Sequence, residues 1–303
     1  MNILMDSYPH YDYMIATISQ GLQKLGHTVV GRYSNRHNYC QAEPTATYDL
    51  FIQCQAGFDP IPGMPSVMLW GEDAGMDWRR SLPKGFQAIF VRDYAGGGPA
   101  HVFPINFGVE ERYLCIDRKI RKLGIRQRPI DIGFWGNIDT PSRIECCKAI
   151  RERFIHGYNI KLEGQVFNEP DIYWSRWTGT YRPHDPNYFA ALANSKVLVS
   201  FAGHGPDCGR HWEILSAGAV CLIEDMGTIL CPPAPVDSRH CFFFKTPAQL
   251  LGHISNILAD PIQYQHIADN GRNAAQGVFA TRSRAKYLLK TLVEIKVIKG
   301  GLL

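Results

Sequence analysis

Between positions 200 and 224 the chain reads Ser-Phe-Ala-Gly-His-Gly-Pro-Asp-Cys-Gly-Arg-His-Trp-Glu-Ile-Leu-Ser-Ala-Gly-Ala-Val-Cys-Leu-Ile-Glu. Two apolar runs flank a glycine-rich loop that carries His204, Gly205 and Asp207, and a short helical segment opening on Arg210 and Glu213. The first N–H groups of a helix have no intrahelical partner and sit at the positive end of its dipole, so they attract phosphate. Arg210 adds a cation at that end, and Glu213, one turn further in, can accept hydrogen bonds from sugar hydroxyls. Phosphate and ribose recognition side by side point to a nucleotide ligand. The plainer alternative is an Arg210–Glu213 pair on a helix surface, worth roughly 0.2–0.5 kcal/mol.

A second turn, 136–143, has a similar layout. Gly136 allows close backbone approach, Asn137 and Thr140 offer small hydrogen-bonding side chains, and Arg143 stands at a helix entrance. Thr140 or Ser142 also suits a helix cap, with Pro141 in the first turn. Glu72 and Asp73 follow the apolar run 67–70, where a carboxylate can act as general base, although Gly71, Asp73 and Gly75 equally suit a plain turn. His10 lies between tyrosines after the first apolar run. Tyr173, Trp174, Trp177 and Tyr181 can close over a ligand or pack as a satellite core.

These residues need strands and helices to hold them. Short apolar runs at 2–5, 27–30, 50–53, 66–69, 88–91 and 101–105 read as strands. Met14, Ile15, Ile18, Leu22 and Leu25 recur at helical spacing until Gly26. After Pro129 the alternation restarts, with strands at 131–135, 160–163, 197–201, 219–223 and 241–244. Helices are expected at 143–154, 186–194, 210–217, 247–258 and 261–276. Strand–helix–strand units of this length predict parallel sheets with right-handed crossovers, and ligands at the carboxyl ends of the strands.

The totals agree. The 303 residues suit two domains, and 45% hydrophobic with 20% charged residues is the composition of a globular chain. No apolar run approaches the roughly 20 residues that span a bilayer. The first residues show no basic n-region, and nine scattered cysteines without a CxxC pair suggest a reducing, cytoplasmic setting without a zinc site. Cys54 and Cys221, inside apolar runs, read as buried thiols. Net charge is +4. Arg118, Lys119, Arg121, Lys122, Arg126 and Arg128 fall within eleven residues free of acids, as either a solvated linker or a patch facing a polyanion.

With these residues in view, the chain resembles the GT-B glycosyltransferases, and most of all their CgeB-like, "glycosyl transferase group 1" branch. The resemblance is strongest from 131 to about 290. It rests on Ile132-Gly-Phe-Trp-Gly-Asn137, Tyr188 through Ser200, Gly209-Arg-His-Trp-Glu-Ile-Leu-Ser-Ala-Gly218 and Ile267-Ala-Asp-Asn-Gly271. It implies an α/β architecture of two Rossmann-like domains facing across a cleft. Residues 1–125 would form the acceptor side and residues 126–303 the donor side, with the C-terminal helix packing back toward the first domain.

The implied activity is transfer of a sugar from a nucleotide-diphosphate sugar, a UDP-sugar foremost, without a required cofactor or metal. The acceptor would be a small molecule, a polymer, a protein or modified DNA. By position, Glu213 would bind the ribose and Arg210 the diphosphate, with Arg143 assisting. Gly136 and Asn137 would lie against the phosphates or the sugar, and the stretch ending at Arg182 against the base. If the sugar is inverted, Asp73, Glu72 or His10 would supply an acceptor-side base; if it is retained, the leaving phosphate would serve instead. Many relatives carry a second glutamate eight positions before the one matching Glu213. Here that position is Gly205, and the flanking His204 and Asp207 would be its substitutes. The alternatives are a non-hydrolysing sugar-nucleotide epimerase and a non-catalytic nucleotide-sugar binding protein of the same fold.

Overall fold

Strands buried on both faces need no alternation of polar and apolar residues, and the chain uses that freedom. In a computed structural model, which describes residues 1–6, 13–31, 40–41, 47–54, 59–71, 82–114, 123–136, 138, 140–163, 186–203, 205–227 and 232–300, the strands β4 (Leu50–Cys54), β5 (Ser66–Trp70) and β6 (Ala88–Val91) are buried along their whole length. They join β1 (Asn2–Asp6), β2 (Thr28–Gly31), β3 (Cys40–Gln41) and β7 (Val102–Pro104) in a seven-stranded parallel sheet ordered β3-β2-β1-β4-β5-β6-β7. Helix α1 (Tyr13–Lys24) connects β1 to β2 and ends at Gly26, whose φ of 85° is open to glycine at no steric cost. A single turn, α2 (Glu111–Leu114), follows β7.

The second sheet is parallel and ordered β12-β11-β10-β8-β9. It is built from β8 (Ile130–Trp135), β9 (Ile160–Glu163), β10 (Ser195–Ser200), β11 (Val220–Glu224) and β12 (Phe242–Phe244). The chain leaves β8 for β9 on one side, then returns to place β10 on the other. The crevice beyond β8 and β10 is therefore a topological switch point, where open α/β sheets bind ligands. Gly136 follows β8 and the 201–208 loop follows β10, so both motifs lie at that crevice.

Around this sheet are α3 (Pro141–Phe154), α4 (Pro186–Ala193), α5 (Gly209–Ser216), α6 (Pro247–Ala259), α7 (Gln265–Gln276) and α8 (Thr281–Glu294). The helix expected over 261–276 is two pieces: Pro261 starts a 3-10 turn, Pro261–Tyr264, before α7 begins.

Helix α8 packs on α1 of the first sheet, as the resemblance implied. Gly21 of α1 lies against the Thr281 carbonyl, where a Cβ would overlap it. Buried Arg284 donates to the Phe107 carbonyl (3.1 Å) and the Pro233 carbonyl (2.9 Å), with its guanidinium 4.8 Å above Trp212. Val109 N–H donates to Phe279 O (2.8 Å) beside it. One apolar cluster consequently runs from Ile3 and Leu69 through Leu288 to Trp212 and Leu215.

The basic run divides. Residues 118–122 lie outside the described residues, and Arg126 is exposed. Arg128 corrects the polyanion reading at its own position. It is buried and donates to the carbonyls of Ser195 (3.0 Å) and Ala217 (3.3 Å), and burial pushes its guanidinium down to about 10. It braces the entry of β10 against the end of α5.

Candidate functional site

The loop 201–208 is held from below by one carboxylate. Glu224, at the end of β11, accepts from Ala202 N–H (2.8 Å) and from the Ser142 hydroxyl (2.7 Å), tying the loop to the start of α3. Thr140 caps α3, accepting from Arg143 N–H at 3.4 Å, with Pro141 in the first turn. Capping and site building coincide, because the capped turn delivers Arg143 into the loop, where its Nη2 donates to Ala202 O (2.9 Å).

At the start of α5 the guanidinium of Arg210 lies 5.4 Å over the Phe134 ring and directly against Gly136, where a Cβ would overlap it. The sequence needs glycine at 136 for that approach. Burial opposes the charge of Arg210, yet Tyr188, Cys208, Glu213 and Tyr13 outweigh it and hold the guanidinium above its ordinary value. Gly136, Arg143 and Arg210 thus meet at one helix N-terminus, whose cap residue Cys208 makes no side-chain cap bond.

Glu213 is no surface partner for Arg210. It is 2% exposed, and its carboxylate accepts from three phenols: Tyr13 (3.1 Å) and Tyr113 (2.5 Å) at Oε1, and Tyr188 at Oε2 (2.5 Å). Tyr13 and Tyr113 stand on α1 and α2 of the first sheet's domain, and Tyr188 on α4. A carboxylate one turn inside α5 is therefore enclosed by phenols from elements of both sheets.

Asp207 does not take the place of the acid missing at Gly205. It is buried and accepts from Phe107 N–H (2.9 Å) and the Trp212 indole (2.8 Å), while burial still pushes its carboxyl upward. His211, also buried, donates from Nε2 to Pro206 O (2.9 Å), which leaves Nδ1 to accept from the Ser200 hydroxyl (2.7 Å). Burial first, with Arg210 and Arg143 nearby, pulls it to about 4, so it is a neutral strut for the loop.

Of the residues singled out from sequence, the structure brings together Gly136, Arg143, Gly205, Arg210 and Glu213. His10, Glu72, Asp73, Asn137, Arg182, His204 and the Tyr173–Tyr181 aromatic cluster lie outside the described residues. Sequence reasoning missed Tyr13, Tyr113, Tyr188 and the Arg92–Asp93 pair. The pair had a signal, charged residues just past a fully apolar strand, the same one that marked Glu72 and Asp73. Asp93 Oδ1 accepts from Asp207 N–H (2.8 Å), and Arg92 lies 5.0 Å over the Phe107 ring. Among the described residues no group of three His, Cys, Asp or Glu side chains is placed to hold a metal ion.

Residues 143–290 match the protein family described as glycosyl transferase-like. No curated protein matches the chain. Similar solved structures include HepE of Anabaena in complex with UDP and glucose, at 11% identity and TM-score 0.60, covering 97% of this chain and 100% of that one. A glycosyltransferase from Rickettsia africae ESF-5 is 11% identical with TM-score 0.63, covering 99% of each chain. Sucrose-phosphate synthase of Thermosynechococcus elongatus is 13% identical with TM-score 0.60, covering 98% of this chain and 99% of that one. At these identities the likeness establishes the fold, two Rossmann-like domains in the GT-B arrangement.

Proposed function

We propose that this chain, which has the GT-B fold and matches the glycosyl transferase-like family over residues 143–290, transfers a sugar from a nucleotide-diphosphate sugar, a UDP-sugar foremost, to an acceptor. The observation that carries this is the meeting of Arg143, Arg210 and Gly136 at the N-terminus of α5, at the switch point of the second sheet. Two cations and a helix dipole at one point suit a diphosphate. The UDP in the HepE structure supports the choice of base.

In the transfer an acceptor oxygen forms a bond to the sugar's anomeric carbon as the bond from that carbon to the phosphate oxygen breaks. The nucleoside diphosphate leaves with the electron pair. Arg210, Arg143 and the helix terminus stabilise its growing charge in place of a metal, which is the larger part of the catalytic work in such a reaction. We assign ribose binding to Glu213 and base contact to the stretch at Arg182, with Asn137 for the phosphates or the transferred sugar and His204 for the transferred sugar. The acceptor's proton goes to Asp73, Glu72 or His10 if the sugar is inverted, and to the leaving diphosphate if it is retained. Residues 1–125 then form the acceptor side and 126–303 the donor side, except that α8 packs on the former. We also place the protein in the cytoplasm: Cys54, Cys146, Cys147, Cys208, Cys221 and Cys241 are all free thiols, as a reducing compartment keeps them. No described helix is long and apolar enough to cross a membrane.

A thermal-shift panel of nucleoside diphosphates and their sugars tests the reading. Ligand at 100 times its Kd adds about 2.7 kcal/mol of stability. UDP or GDP is expected to raise the melting temperature, and Arg210→Ala and Glu213→Ala to abolish most of the rise. No shift with any nucleotide overturns the proposal.

A further inference from the structure

Gly205 leaves a space in the loop, and a residue of the other domain fills it. A Cβ at 205 would overlap Oδ2 of Asp93 and stand 3.6 Å from Nη2 of Arg92. A longer side chain at 205 and the Asp93 carboxylate are therefore mutually exclusive. Asp93 lies just beyond β6, at φ 59°, a left-handed conformation uncommon outside glycine. Such a backbone persists only where its surroundings hold it, and it fixes where the carboxylate points. Asp207 N–H holds Oδ1 at 2.8 Å, and Oδ2 is 3.6 Å from Arg92 Nε.

Along α5 and out onto its loop the polar groups run Glu213, Arg210, then Asp93 above Gly205. A nucleotide sugar runs ribose, diphosphate, sugar in the same order. With ribose at Glu213 and diphosphate at Arg210, the next group of the donor arrives at Asp93. Asp207 is committed to Phe107 and Trp212, so it does not compete for that role.

We propose that Asp93 accepts hydrogen bonds from the hydroxyls of the transferred sugar, the first domain thereby supplying the carboxylate that Gly205 lacks. This rests on the donor reading above. In this arrangement the sugar contact exists only when the two domains face each other, so donor choice and domain juxtaposition are read by one side chain.

The test compares sugar donors with their own diphosphates by calorimetric titration: UDP-glucose, UDP-galactose and UDP-N-acetylglucosamine against UDP, and GDP-mannose against GDP. Asp93→Asn keeps an acceptor for Asp207 N–H and removes the charge. It is expected to leave binding of the bare diphosphate within about twofold and to weaken the preferred sugar donor about tenfold, the scale of a charge-assisted hydrogen bond. Moving the carboxylate across the cleft, with Gly205→Asp and Asp93→Gly together, is expected to return most of that loss. Equal weakening of diphosphate and sugar donor overturns the proposal, because Asp93 then holds the domains rather than the sugar. So does unchanged binding of both, or a wild type that prefers no sugar donor over its diphosphate. Absence of any nucleotide binding by the wild type overturns the donor reading itself, and this proposal with it.

Discussion

On the proposed donor reading, a ribose at Glu213 would meet a carboxylate that already accepts from Tyr13, Tyr113 and Tyr188. The phenols occupy the lone pairs that sugar hydroxyls would use, so nucleotide binding there would exchange one set of O–H donors for another. Tyr113→Phe is accordingly expected to bind UDP more tightly, by roughly 3- to 10-fold, while the free protein loses about 1.5–3 kcal/mol from the missing charged hydrogen bond. Titration with UDP and urea denaturation measure the two effects, and weaker UDP binding in Tyr113→Phe would show that the phenol positions Glu213 instead of competing for it. His211 gives a pH signature. Folded, it is held near 4 by burial, against about 6.5 in the unfolded chain. The unfolded state binds more protons between these values, so this part of the stability is complete above about pH 6.5 and fades as pH falls toward 4. His211→Gln is expected to flatten the fall in melting temperature between pH 6.5 and 4.5. Arg210 and Glu213 were legible because three residues on a helix set their relation. The tyrosines were not, since Tyr113 and Tyr13 are 100 and 200 positions from Glu213 and only the tertiary fold brings them there.

Among the elements, the strands were the most legible part of the chain. Parallel strands covered on both faces are short apolar runs, and β6 and β9 have the bounds expected from those runs alone. Helix α3 also announced its own start through Thr140 and Pro141. What no local pattern revealed was which neighbour each element would touch. The approach of Gly136 at the end of β8 to Arg210 at the start of α5 is one such contact. Gly136→Ala forces the guanidinium aside, and since Ala costs little in the turn itself, nucleotide affinity is expected to fall about tenfold or more with a small change in melting temperature. A large loss of stability with unchanged affinity would place Gly136 in folding alone. Similarly Gly21→Ala drives a methyl into the Thr281 carbonyl between α1 and α8, which overpacking makes costly by about 1–3 kcal/mol in urea denaturation.

For the whole molecule, the two sheets occupy consecutive stretches of sequence, residues 2–104 and 130–244, yet the packing does not respect that order. Helix α8, encoded after the second sheet, finishes the apolar cluster of the first. On a ribosome, chains acquire structure from the N-terminus, at about 5–20 residues per second. Here α1 must wait, with its Thr17 and Gly21 face uncovered, until α8, which ends at residue 294, has been made. The second domain can close its sheet during that interval, while the first cannot complete its core. A message terminated at codon 280 should therefore yield a chain whose defect lies near its beginning. The expected signs are rapid proteolysis at α1 and aggregation, with α8 supplied as a separate peptide restoring solubility. The last helix thus sets the time at which the first domain becomes native.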